Sequence, residues 1–150
     1  MALVVDDELI KALILKQACF SQFNDKEVST LASLFHEKHF KAGDVIVKEG
    51  DPVDSIYLIV EGKADVRQKI VIDNKNVQVK SIATLKENEA IGLNETGFYS
   101  LSGIRTATVV AATDIVLLRL SVPAFHGFAL SNSRVNSLMR QNTEKFLDIK

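Results

Sequence analysis

The chain has almost no net charge, a single cysteine, few histidines and no long apolar run, and each shortage removes a class of function. Its formal net charge is −1 over 150 residues. A broad basic surface for nucleic acid is therefore not expected. Cys19 cannot form an internal disulfide, and its setting in Ile14-Leu15-Lys16-Gln17-Ala18-Cys19-Phe20 reads as a helix face with an inert, packed thiol. No stretch reaches the length that crosses a bilayer, and the apolar start Met1 to Val5 is stopped by Asp6, Asp7 and Glu8. A cytoplasmic location is the expectation. His36 and His39 flank the end of an expected helix and His126 lies far off, so neither a metal nor a catalytic cluster is read from them. Asp51 and Asp54 read as solvated loop acids. There is no Gly-x-Ser-x-Gly, no Cys-x-x-Cys and no phosphate loop ending in Gly-Lys-Ser/Thr. The chain is not expected to be an enzyme.

What is present reads as one globular unit. Hydrophobic residues make up 47% and charged residues 25% of the chain, ordinary usage for a domain with a full core. Leu9, Ile10, Leu13, Ile14 and Gln17 recur at the helical period behind Asp6 or Asp7 as a cap. Asn24 or Asp25 opens a second expected helix over 27–36, with Val28, Leu31, Ala32, Leu34 and Phe35 as its apolar stripe. Phe20 and Phe23, between the two, are expected to staple both helices to the rest of the domain. From Phe40 short β runs alternate with glycine turns: Val45-Ile46-Val47, then 55–60, then Ala64, Val66, Ile70 and Ile72. Asp73-Asn74-Lys75-Asn76 reads as a hairpin tip before Val77, Val79 and Ile82. Further strands are expected over 106–111 and 115–120. Ser121-Val122-Pro123 then starts a helix carrying Phe125 and Phe128, and another comes after Ser131-Asn132-Ser133 with Val135, Leu138, Met139, Phe146 and Leu147. Seven or eight such short strands argue a mainly β fold, a sandwich or jelly-roll barrel with flanking helices.

Arg105 carries the chemistry. It opens Arg105-Thr106-Ala107-Thr108-Val109, at the head of an apolar strand, and faces the glycine-led loop Ile91-Gly92-Leu93-Asn94, in which a helical turn is expected. A guanidinium fork matches phosphate oxygens, and free amides at a helix start favour an anion. Together they suggest a site for one small-molecule phosphate. Pairing of Arg105 with Glu95 or Asp114 is the bland alternative.

Gly43-Asp44-Val45-Ile46, Glu49-Gly50-Asp51, Tyr57-Leu58-Ile59-Val60-Glu61-Gly62, Ile91-Gly92-Leu93 and Arg105-Thr106-Ala107-Thr108-Val109, in this order, resemble the cyclic nucleotide-binding domain family. The resemblance spans about residues 20–130. It implies an eight-stranded jelly-roll β-barrel with a phosphate-binding cassette, and a division into N-terminal helices over 1–38, barrel over 39–120 with the cassette at about 91–106, and C-terminal helices over 121–150. It further implies that Arg105 pairs the cyclic phosphate, that Gly92 opens the cassette, that Ala107 gives the phosphate room, and that Thr106 touches phosphate or base.

Leu93 departs from the pattern. The family usually has glutamate after the cassette glycine, on the ribose 2′-hydroxyl, and the stretch from Asn94 to Ile104 is two or three residues longer than usual. Either one ligand contact is lost, or a reshaped cassette brings Glu95 or another polar group into the role. Phe98 and Tyr99 either cover the pocket or pack the loop down. The implied ligand is cyclic AMP, ahead of cyclic GMP, with no further cofactor, and the implied output is movement of the C-terminal helix towards an effector protein or domain. The alternative is a degenerate member of the fold that serves as a protein-interaction or dimerisation module, with the C-terminal helix joining two copies.

Overall fold

The computed structural model describes residues 5–94, 97–98 and 103–147, except for the side chains of Asn94, Phe98 and residues 142–147. Helix α1 (Asp7–Leu15) starts where Asp6 accepts a hydrogen bond from the Leu9 amide at 2.9 Å, with Asp7 and Glu8 in the positive first turn. A 3₁₀ turn (Ala18–Phe20) leads to α2 (Asp25–Ala32), opened by a reciprocal capping box between Asn24 and Glu27.

Helix α2 ends earlier than the periodicity suggests. The stripe from Val28 to Phe35 favours a helix over 27–36, yet the chain leaves α2 after Ala32 and runs as strand β1 (His36–Phe40). Leu34 and Phe35 close the helix with short-range bonds to the carbonyls of Leu31 and Ala32, and Phe35 still buries its ring with the helices. β1 then pairs with β10 (Ile115–Ser121), His36 opposite Arg119 and Phe40 opposite Ile115. His36 and His39 therefore lie on a strand rather than at a helix end. Pairing to a distant strand outweighs a weak local preference.

The remaining strands are β2 (Val45–Val47), β3 (Ser55–Glu61), β4 (Ala64–Val71), β5 (Val77–Leu85), β6 (Ala90–Ile91), β7 (Leu93–Asn94), β8 (Gly97–Phe98) and β9 (Thr108–Ala111). Two antiparallel four-stranded sheets, ordered β1-β10-β3-β6 and β2-β9-β4-β5, build the jelly roll, and β7 and β8 form a separate small hairpin. The expected strand over 106–111 begins only at Thr108, because the Arg105 backbone bonds to the turn at Gly50 and Asp51 instead of a ladder. Between β3 and β4 the chain turns at Gly62, whose φ is 103°; a methyl there would lie 2.5 Å from the Asp114 carbonyl oxygen.

Alternation along β3 and β10 divides the core in two. Ile56, Leu58, Leu118 and Leu120 face the helices, whereas Tyr57, Ile59, Ile115 and Leu117 face the barrel interior. On the helical side Ser121 caps α3 (Val122–Leu130), with Pro123 in the first turn. Phe20, Phe23, Phe125 and Phe128 meet there at ring separations of 5.3–6.2 Å, so the expected aromatic staple holds the 3₁₀ turn to α3. Cys19 is buried in this cluster and burial pushes its thiol up to about 12, which keeps it un-ionised and inert at neutral pH. Helix α4 (Ser133–Leu147) plugs Val135 fully into the same cluster, with Leu138 and Met139 packed against it; the Phe146 and Leu147 side chains lie outside the described residues. No helix among the described residues is long and apolar enough to cross a membrane.

The β4–β5 hairpin turns at Asp73, which accepts from the Lys75 and Asn76 amides as the tip sequence implies. Its far end departs from the half-buried strands that the alternation suggests. Ile70, Ile72, Val77, Val79 and Ile82 are all exposed, because among the described residues no element packs over this part of the hairpin.

Candidate functional site

A cavity of about 680 Å³ opens between β4, β5 and β6 and the segment 105–107. Gly92, Leu93, Arg105, Thr106 and Ala107 all line it, so residues from two separated motifs converge on one wall. Asn94 continues β7 as backbone, and Glu95 lies outside the described residues. The helical turn expected after Gly92 is not found among the described residues of the loop. Leu93 and Asn94 instead pair with Phe98 and Gly97 as a hairpin. Leu93 is half-buried, lining the cavity on one side and touching the helical cluster on the other.

The turn Glu49-Gly50-Asp51 fixes Arg105. The Arg105 amide donates to the Asp51 carbonyl at 2.8 Å, and the Gly50 amide donates to the Arg105 carbonyl at 2.9 Å. With its backbone clamped, the side chain reaches inward and is only 6% exposed. Nη2 donates to the Ser55 carbonyl at 2.6 Å and lies 3.8 Å from Asp54 Oδ1. Of the two acids expected as partners, Asp114 accepts from the Ala42 amide instead, and Glu95 lies outside the described residues. Burial pushes the Arg105 guanidinium below its ordinary range; Asp54 and Tyr57 oppose the shift, and Arg119 adds to it. Arg119 also approaches Asp54, at 3.7 Å. Two guanidinium groups thus share one carboxylate that is itself largely exposed. An anion arriving from the cavity would relieve that imbalance.

Gly92 makes the approach possible. With φ at 85° it presents a bare Cα to the guanidinium, where a methyl would sit 2.8 Å from Nη1. Arg105 Nη1 and Nε have no hydrogen-bond partner among the described residues, so donors remain for a ligand. Next to them, Gln68 on β4 donates to the Thr106 carbonyl at 3.0 Å and sets the entrance of the segment leading into β9. The rest of the wall is mainly apolar, including Val47, Ile82, Leu85 and Val109.

Several of these contacts leave no trace in the sequence. Ser55 is fully buried and receives Arg105 through its backbone carbonyl, a role that leaves no mark on residue type. Asp54, read as a solvated loop acid, is the carboxylate paired with Arg105 among the described residues. At the other end of the cavity, Gln17 donates to the carbonyls of Leu13 and Asn88 at 3.1 and 3.0 Å, tying the end of α1 to the cavity wall. Asn88 has φ of 75°, a conformation asparagine adopts more readily than most residues, and that is the only local signal it offers. Among the described residues no three His, Cys, Asp or Glu side chains converge on a metal-sized site.

The jelly roll thus brings a buried arginine and an opposed glycine onto one wall of a mainly apolar cavity. Residues 37–132 match the cyclic nucleotide-binding domain family, and the chain belongs to that family of regulatory modules. It is 36% identical over 64 residues to a cAMP-dependent protein kinase regulatory subunit from Dictyostelium discoideum; the match covers 43% of this chain and 20% of that one. The chain thus matches about a fifth of the length of this curated relative. Among solved structures it is similar to the N-terminal domain of a transcriptional regulator from Streptomyces coelicolor A3(2), with a TM-score of 0.76 at 23% identity, covering 91% of this chain and 90% of that one. The catabolite activator protein of Thermus thermophilus is similar over 88% of this chain and 57% of its own, with a TM-score of 0.66 at 24% identity. At these identities the structural likeness establishes the fold.

Proposed function

We propose that the cavity binds a cyclic nucleotide, cyclic AMP ahead of cyclic GMP, with its phosphate on Arg105 and its base in the apolar part. The observation that carries this reading is the buried Arg105 on the cavity wall, with Nη1 against Gly92 and donors to spare. Gly92 and Ala107 leave room for the phosphate, while Thr106 lies beside it for phosphate or base. Asn94 and Glu95 remain proposed contacts of the reshaped cassette. The kinase regulatory subunit among the relatives supports cyclic AMP as the first ligand to test. Leu93 gives the ribose no carboxylate. A charge-assisted hydrogen bond contributes roughly 1.5–3 kcal/mol, so binding about ten- to a hundredfold weaker than with a glutamate is expected.

Output runs through α4. Among the described residues α4 lines no part of the cavity; Arg134 in its first turn pairs with the buried Glu27 on α2 and donates to the Gln22 carbonyl at 3.2 Å. A ligand that favours a second α4 position shifts the helix in proportion to that preference and presents it to an effector.

The test is calorimetric titration of cyclic AMP and cyclic GMP into the chain and into Arg105→Leu. Loss of a buried charge partner costs about 2–5 kcal/mol, so the variant should bind roughly thirtyfold to several thousandfold more weakly. Equal binding by both proteins would remove Arg105 from the site. Absence of heat with either nucleotide into the millimolar range would favour the second reading, an interaction module without nucleotide. Ser55 already occupying Nη2, and Leu93 packing towards the helices, are the observations on its side.

A further inference from the structure

The two sheets have four outer edges, and three are protected against pairing with another chain. β1 carries His36, Glu37, Lys38 and His39 along its edge, while β2 and β6 are only three and two residues long. β5 is different. It runs nine residues with Lys80 as its sole charge, and among the described residues no strand pairs with its outer edge.

Its register shows which part of that edge is usable. Val66 pairs with Ala83 and Arg67 with Ser81, so Ile82 is an extra residue that bulges and bends the strand. Residues 77–81 form the regular half. There Arg67, Lys69 and Val71 pair with Ser81, Val79 and Val77 on the outer face, while Gln68 and Ile70 pair with Lys80 and Gln78 on the cavity side. The outer face thus carries Val71, Val77 and Val79 side by side, 72%, 57% and 63% exposed. Three neighbouring β-branched side chains, two of them on the open edge strand and Val71 beside them on β4, are a surface awaiting a strand.

We propose that this edge pairs with the same edge of a second copy, antiparallel about a two-fold axis at Val79, joining two four-stranded sheets into one of eight. The axis must pass through a residue rather than between two for the outer face to meet its own kind; Val79 is the centre of the regular half and so pairs all five of its residues, whereas an axis at Lys80 would set that charge against itself. Val79 then faces Val79, Val77 faces Ser81, and Lys80 faces Gln78 of the other copy. The valines merge into one stripe, and the only charge on the strand meets a neutral amide, so no like charges oppose each other. A foreign strand would need its own matching pattern, whereas the second copy has it by symmetry. Five paired residues give only about 17 Å of edge, well short of the roughly 800 Å² per partner of a standard interface. The dimer is accordingly weak and concentration-dependent. This inference does not depend on nucleotide binding, and it places the contact on β5 rather than on the C-terminal helix.

Sedimentation velocity of the chain across micromolar to millimolar concentration tests it, with circular dichroism confirming that each variant is folded. The expected result is a reversible monomer–dimer equilibrium. Val79→Lys, which sets two ammonium groups face to face on the axis, should weaken it at least about tenfold. Gln78→Glu, which places a carboxylate opposite Lys80 twice per dimer, should tighten it a few-fold. A chain that stays monomeric at every concentration would overturn the proposal and leave the edge to a different strand. So would a dimer indifferent to both substitutions, or mass that keeps growing past the dimer.

Discussion

Gly92 and Arg105 illustrate how one residue's absence of a side chain licenses another's position. Gly92→Ala would require an L-residue at φ of 85° and a methyl 2.8 Å from Nη1. The backbone strain alone costs about 1–2 kcal/mol, and the guanidinium must also move away from the wall. Urea unfolding and nucleotide titration of this variant should show a loss in both stability and affinity; a loss of neither would mean that the glycine has no part in the site. These two residues were legible in the sequence because a rigid cation and a bare backbone are chemical properties of residue type, whereas Leu93, Thr106 and Ala107, which also line the cavity, were singled out by the family resemblance. Ser55, Asp54, Gln68 and Gln17 were not. Ser55 contributes a carbonyl, which every residue possesses, and the others matter only because the fold brings them there.

Arg134 and Glu27 decide where α4 sits. Glu27 is buried at the start of α2, already accepting the Asn24 amide of its own capping box, and Arg134 supplies the compensating charge from α4. α4 also lies beside β8, so the helix touches the lengthened cassette as well as the helical layer. Arg134→Ala would leave a buried carboxylate short of a partner, at roughly 1–3 kcal/mol, with the lower end expected because half of the arginine is exposed. Hydrogen exchange across residues 133–141 should accelerate in this variant relative to α1. Unchanged protection would show that Val135 and its apolar neighbours hold α4 without the ion pair. Element boundaries were the less legible part. The Asp6, Asn24 and Ser121 caps stand where local chemistry put them, whereas the end of α2 and the start of β9 were moved by strand partners and turn contacts far away in sequence.

Two apolar clusters share the sheet that contains β3 and β10, and the molecule couples them through alternate side chains of the same strands. Leu118→Ala removes a fully buried side chain from the helical cluster and should cost about 2–5 kcal/mol, while Leu117, on the other face, still closes the barrel interior. Urea denaturation should therefore show a lower midpoint with a single transition, and nucleotide affinity should change little. Two separated transitions would mean that the helical layer unfolds independently of the barrel. The sequence by itself determined a mainly β fold with flanking helices, the helix caps, the hairpin tip and the approach of Gly92 to Arg105, because those depend on periodicity, turn chemistry and the properties of single side chains, while the jelly roll itself followed from the family resemblance. Only the tertiary structure decided that Arg105 leans on Ser55, that β1 is a strand, that Arg134 pins α4 to α2, and that the apolar residues of the β4–β5 hairpin are exposed. Each of those depends on which distant segments meet, and local preference, amounting to a fraction of a kcal/mol per residue, is too weak to choose among such meetings.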